Sequence, residues 1–216
     1  MNTIFFQKGE GVYAAPLMPS SAKINVFCDD LFPADQWGNV EVYPADFRLS
    51  RDLFYWLLNC FTREDGRLNA NIRIRSWTGF NGTTQDAVHR LSGDGERIAA
   101  LLGTLAFLFT GDPFKALSLC IQYNQERLPL TIGESGNVEL KDYEYEGVFA
   151  NRFMDEHRKV MLTYLVYTKV LPDLLAAYLQ ARDEGRWNDE KREEFRIWIG
   201  HTIINRVQEV VMQDAI

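Results

Sequence analysis

Cysteine is scarce in this chain and unpaired by spacing: there are 3, Cys28, Cys60 and Cys120, far apart and without a C-x-x-C pair. That leaves no disulfide framework, zinc ribbon or redox motif to read, and it suits reduced, buried thiols in a cytosol. Basic charge is short as well. With 23 Lys and Arg against 30 Asp and Glu the formal net charge is −7, so the protein as a whole is repelled by phosphate backbones and anionic lipid. Any nucleic-acid site would be a local basic patch. The N-terminus, "MNTIFFQKGEG", lacks the basic and apolar regions of a secretion signal. Internal repeats, low-complexity tracts and long linkers are missing too, which predicts one domain. At 12 residues the apolar run Ile98 to Phe109 is well short of the ~20 that cross a bilayer. A cytoplasmic protein without a membrane partner is the expectation.

What is present is apolar mass. Of 216 residues, 46% are hydrophobic and 13% aromatic, ample for a core. The run Ile98 to Phe109, "IAALLGTLAFLF", carries Ile98, Leu101, Leu102, Leu105, Phe107, Leu108 and Phe109 with only small interruptions. A helix without a polar face must be buried on every side, and at about 2 kcal/mol per large side chain that burial approaches the net stability of a whole domain. The run predicts a central helix.

Before it, Thr3 to Tyr43 is short, β-rich and broken by Gly and Pro, with "KINVF" (Lys23 to Phe27) and "NVEVY" (Asn39 to Tyr43) as its clearest strands. Ser50 ahead of "RDLFYWLLNCF", with Asp52 in the first turn, predicts an N-capped, mostly buried helix over 51–61. Leu68, Ala70, Ile72 and Ile74 then alternate with Asn69, Asn71, Arg73, Arg75 and Trp77, the period of a strand with one face in the core. Thr83, three residues ahead of Asp86, suggests a capped short helix reaching Leu91. After the central run, Leu117 to Tyr123, Arg127 to Ile132 and Asn137 to Tyr145 read as strands, although 114–124 is ambiguous between strand and helix. The remainder is helical. One stripe includes Phe153, His157, Val160, Met161, Tyr164, Thr168, Leu171, Leu175, Tyr178 and Leu179, with a kink or break expected near Leu171 because of Pro172. A last helix from Asn188 has the stripe Phe195, Trp198, Ile199, Ile203, Val207, Val210 and Val211.

Several residue sets could carry chemistry. Asp29 and Asp30 follow the apolar "INVF", and carboxylates at a strand's C-terminal end are where sheet proteins hold a metal or a catalytic acid. A polar turn into "LFPAD" is the plainer reading of them. Glu139-Leu140-Lys141 has an E-x-K spacing, and in that tripeptide it resembles the PD-(D/E)xK nucleases. The resemblance implies a metal-binding Glu139, a water-orienting Lys141 and an upstream Asp112. "TGFNGTT", with Gly79 and Gly82, offers backbone N–H groups to an anion but fits neither a P-loop nor G-x-G-x-x-G. His157 on an apolar stripe is read as a core residue, and neither His89 nor His201 has a liganding partner at helical spacing. Arg206 falls within the core stripe of its helix, so it must snorkel, pair with a carboxylate or mark a contact, and of these it is read as a structural pair. A Cys60 and His89 nucleophile pair has no supporting motif.

The polar strand face of Asn69, Asn71, Arg73, Arg75 and Trp77, with Arg63 and Arg67 nearby, combines guanidinium groups with an aromatic as interface hot spots do. In a negatively charged protein it favours an acidic protein partner over nucleic acid. Together these readings predict an α+β fold: a mainly antiparallel N-terminal sheet around a buried central helix, then a helical layer beyond residue 147. The function expected is a non-enzymatic interaction module, an inhibitor or immunity-type protein or a complex subunit, without cofactor or metal. The alternative is a metal-dependent hydrolase or nuclease using Asp29, Asp30 or Glu139.

Overall fold

The computed structural model describes residues 3–8, 10–16, 32–38, 49–83, 90–94, 102–111, 113–150 and 155–213. Asp29, Asp30, Asp112, His89 and Cys28, and the strands expected at 23–27 and 39–43, lie outside the described residues.

Strands β1 (Thr3–Lys8) and β2 (Gly11–Pro16) form a hairpin, and a short helix α1 (Ala34–Trp37) brings Trp37 against Phe5 and Phe32. Helix α2 (Arg51–Arg63) opens on Ser50, whose side chain accepts the Leu53 N–H as an N-cap. Strand β3 (Ile72–Thr83), β4 (Arg90–Asp94), β5 (Phe114–Tyr123), β6 (Glu126–Gly133) and β7 (Val138–Leu140) make one antiparallel sheet in the order β4-β3-β5-β6-β7. The ambiguous segment 114–124 is thus a central strand. A two-residue turn at Asn124 and Gln125 pairs β5 with β6 without a slip from Tyr123–Glu126 to Ala116–Gly133. Leu117, Leu119, Ile121 and Tyr123 therefore share one face with Leu128, Leu130 and Ile132, and all are buried.

Helices cover that apolar face. Eight consecutive residues of α2, Leu53 to Cys60, are buried, so the buried central helix is α2. Helix α3 (Leu102–Thr110), from the run that predicts the central helix, buries Thr104, Leu105, Phe107 and Leu108 but leaves Leu102 and Phe109 exposed at 39% and 40%. It lies at the periphery, and an all-apolar helix there exposes whatever its single contact side does not take. Phe107, Phe80, Phe54 and Tyr55 meet Phe114 at ring distances of 5.0 to 6.2 Å, joining α3, the sheet and α2.

Two further corrections come from packing. The short helix expected from Thr83 to Leu91 lies outside the described residues at 84–89, and its two ends belong instead to the β3–β4 ladder, in which Gly82 faces Leu91. A Cβ at Gly82 would overlap the Phe107 ring, so this glycine serves close helix-on-strand packing within a strand. The long helical segment comprises α4 (Asp155–Leu165), a π turn (Val166–Val170) and α5 (Leu171–Asp183) with Pro172 in its first turn. The break near Leu171 is thus a π turn. Its buried stripe is Leu162, Val166, Val170, Leu171, Leu174, Tyr178 and Ala181, whereas His157, Tyr164 and Leu179 are exposed. An i+4 repeat drifts about 40° per step on a 3.6-residue helix. The wider π turn takes up that drift, so a regular wheel places the face wrongly. By length and composition His157–Asp183 could cross a bilayer. Its apolar side is spent on the core, with Tyr167 and Asp173 bonded to β7 and β5. The last helix, α6 (Asp189–Gln213), completes the layer.

Candidate functional site

The expected polar ladder begins later than its alternation indicates. Residues 64–71 form a turn in which Asp65 and Gly66 both have positive φ, +56° and +72°, and a Cβ on Gly66 would overlap the Ile74 carbonyl. Asn69 belongs to this turn, where its Oδ1 accepts the N–H groups of Asn71 and Ile72 at 2.8 and 2.9 Å. Asn71 is exposed at the turn's end. Arg73 does point outward, beside Gln122 on β5, but it is committed to Asp65 through an ion pair and a 2.9 Å bond to its carbonyl.

Trp77 is the main correction to this site. It is 1% exposed, with its indole N–H donated to Gly79 O at 2.8 Å. The cause is a bulge: Ile74 faces Ile121 and Ser76 faces Cys120, which leaves Arg75 as an extra residue. An inserted residue flips the inward–outward phase, so Ile74 and Trp77, three apart, both face the core. Arg75 is exposed, without an ion pair among the described residues. Arg67 bridges to Arg73. The ladder therefore reduces to a cationic edge of Arg67, Arg73 and Arg75.

Glu139 is exposed on β7 opposite Thr131. Lys141 lines a shallow hollow of about 310 Å³ on the outer sheet face with Asn81, Ser92, Ser118 and Thr131. The Ser118 and Thr131 hydroxyls are bonded to each other at 2.8 Å. Among the described residues no group of three His, Cys, Asp or Glu side chains is placed to hold a metal. The Gly79–Thr83 segment lies within β3, so it is not the loop before a helix that an anion cradle requires. Burial pushes the Cys60 thiol far above its ordinary range, with the neighbouring Glu64 adding to it, which disfavours a thiolate nucleophile.

Helix α6 presents two surfaces. Its inner side buries Phe195 and Ile199 at 1% and 0%. Further along, with the ends of α2 and α3 and with Trp77, it encloses an apolar groove of about 440 Å³ that contains Leu105, Trp198, Thr202 and the exposed Arg206. On the opposite side Ile197, Ile204, Val207 and Val211 are 45% to 62% exposed. The sequence periodicity assigned Val207 and Val211 to the core stripe; the core ends before reaching them. Comparison with family models, curated proteins and solved structures gives no match to this chain.

Proposed function

We propose that the chain is a non-enzymatic protein-interaction module, a complex subunit that docks through the outer stripe of α6 onto the same stripe of a second copy. The observation that carries this reading is spacing. Ile197, Gly200, Ile204, Val207 and Val211 follow one another at three, four, three and four residues, the repeat with which one helix packs along another. The charged side chains of this half of the helix, Arg206 and Glu209, fall on the other side of a helical wheel. Two such stripes meet without like-charge repulsion, and a second copy is complementary without needing an opposite charge. In an antiparallel pair centred between Ile204 and Val207, Val211 of one copy faces Gly200 of the other. The ring of Phe109 lies 2.9 Å from where a Gly200 Cβ would be, with the Arg196 guanidinium 5.7 Å over it, so at that end Val211 of the second copy would meet the edge of this ring. The free, buried thiols of Cys60 and Cys120 support a reducing, cytosolic setting for the module.

Sedimentation equilibrium of the wild type against Ile204→Glu and Val211→Glu tests the pairing. A dimer that both variants convert to folded monomer is the expected result. A wild type that stays monomeric at ~100 µM, a weak association by the usual affinity scale, overturns it.

A second docking surface is supported by the exposed Arg75, bulged out beside Arg67 and Arg73. It suits an acidic segment of a different protein, the partner class expected for this edge. Loss of such a partner on Arg75→Glu, with the oligomeric state unchanged, would assign the two surfaces separately.

A further inference from the structure

We propose that the groove between α2, α3 and α6 is a binding site for an amphiphile with a single carboxylate, its hydrocarbon body against the half-buried Phe61 and Trp198, over the buried Trp77 and Leu105, and its head group on Arg206. The groove's volume, about 440 Å³, lies in the range of small-molecule sites, which are mostly apolar with a few placed polar groups.

The polar groups present select the ligand. Thr62 and Thr202 both donate their hydroxyl protons to carbonyls of their own helices, Leu58 O at 2.8 Å and Trp198 O at 2.9 Å. Arg206 is left as the charged donor. It continues the inward stripe of Phe195, Ile199 and Thr202 at helical spacing, so the helix aims it at the place where the core opens into the groove. No carboxylate pairs with it among the described residues. A guanidinium beside an apolar groove matches a carboxylate in charge and fork geometry. One cation in a protein of net charge −7 suits a monoanion and disfavours a polyphosphate. This site and the docking stripe lie on opposite sides of α6, so either can fail without the other.

The test is calorimetric titration of the full chain with decanoate, decanol and decyltrimethylammonium. Decanoate should bind saturably and tighter than decanol, and the cation should bind weakest. Arg206→Gln should weaken decanoate about tenfold, a typical loss for one charge-assisted contact, and leave decanol unchanged. Thr202→Trp, which fills the groove from a half-buried position, should abolish binding of decanoate and decanol while circular dichroism reports an intact fold. Absence of saturable decanoate binding, equal affinity for decanoate in wild type and Arg206→Gln, or unimpaired binding in Thr202→Trp would each overturn the proposal.

Discussion

Trp187 donates its indole N–H to Asp52 Oδ2 at 2.9 Å, and the Tyr178 hydroxyl donates to the same oxygen at 2.7 Å. Arg192 stands 3.7 Å from the other oxygen and 5.0 Å over the Tyr55 ring. One carboxylate in the first turn of α2 thus ties that helix to α5, to the α5–α6 turn and to α6. Its charge also faces the positive end of the α2 dipole.

Removing this hub should cost stability without touching the sheet. Asp52→Ala is expected to lower the unfolding free energy by about 2–4 kcal/mol, since it strands two buried donors of a charge-assisted network. Asp52→Asn, which retains one acceptor, should cost less than half of that. Urea unfolding with an unchanged slope measures both, and a loss below ~0.5 kcal/mol in the Ala variant would remove Asp52 from this role.

The bulge in β3 separates two side chains that simple alternation places together. Trp77→Ala should cost about 3–5 kcal/mol as a buried large-to-small change, whereas Arg75→Ala should stay within about 0.5 kcal/mol. Comparable effects from the two substitutions in thermal unfolding would contradict the phase flip.

Gly82→Ala should destabilise by about 1–3 kcal/mol through overlap with Phe107. Shortening the ring partner, Phe107→Leu, should offset part of that loss in the double variant. Additive losses in a double-mutant cycle would mean that the two positions do not meet.

Tyr123 donates to Asp173 Oδ2 at 2.7 Å, and burial, reinforced by that bond and the carboxylate's charge, pushes its phenol from 10.0 up to about 12. Below pH 10 the phenol is protonated in both folded and unfolded chains, and its contribution is fully present. Between pH 10 and about 12 only the unfolded chain gives up the proton, so stability falls as the pH rises. Tyr123→Phe should flatten this part of the decline, seen as a smaller difference between urea midpoints at pH ~9 and ~11. An unchanged difference would assign the alkaline loss elsewhere. Tyr145 and Tyr178, also raised by burial, contribute in the same direction.

What composition and periodicity could convey was the class of fold and the strands whose alternation is unbroken. Ser50 capped its helix as its chemistry requires, and β6 and β5 from Leu117 onward kept their faces. Reading failed where the backbone inserts a residue. The extra Arg75 in β3 flips the phase until a second extra residue, Thr78, restores it, the π turn at Val166–Val170 changes the phase of the helix after it, and none of these leaves a composition signal. It failed again at Ile98–Phe109 and at the end of α6, because an apolar sequence specifies a wish for burial and not the presence of a neighbour. The same ambiguity reaches the candidate site. Arg206 on a core stripe was visible in the sequence, but the groove beside it is assembled by Trp77, Leu105 and Trp198 from three separate elements.

The π turn also makes the length of the chain between α4 and α5 a structural variable in its own right. Deleting one residue within Val166–Val170 would preserve every apolar type while turning α5 by about 100° relative to α4. Leu174 and Tyr178 would swing out of the core, and with Tyr178 would go a strut of the Asp52 hub. Homologous chains that keep this packing are therefore expected to vary in residue identity here but not to gain or lose a position.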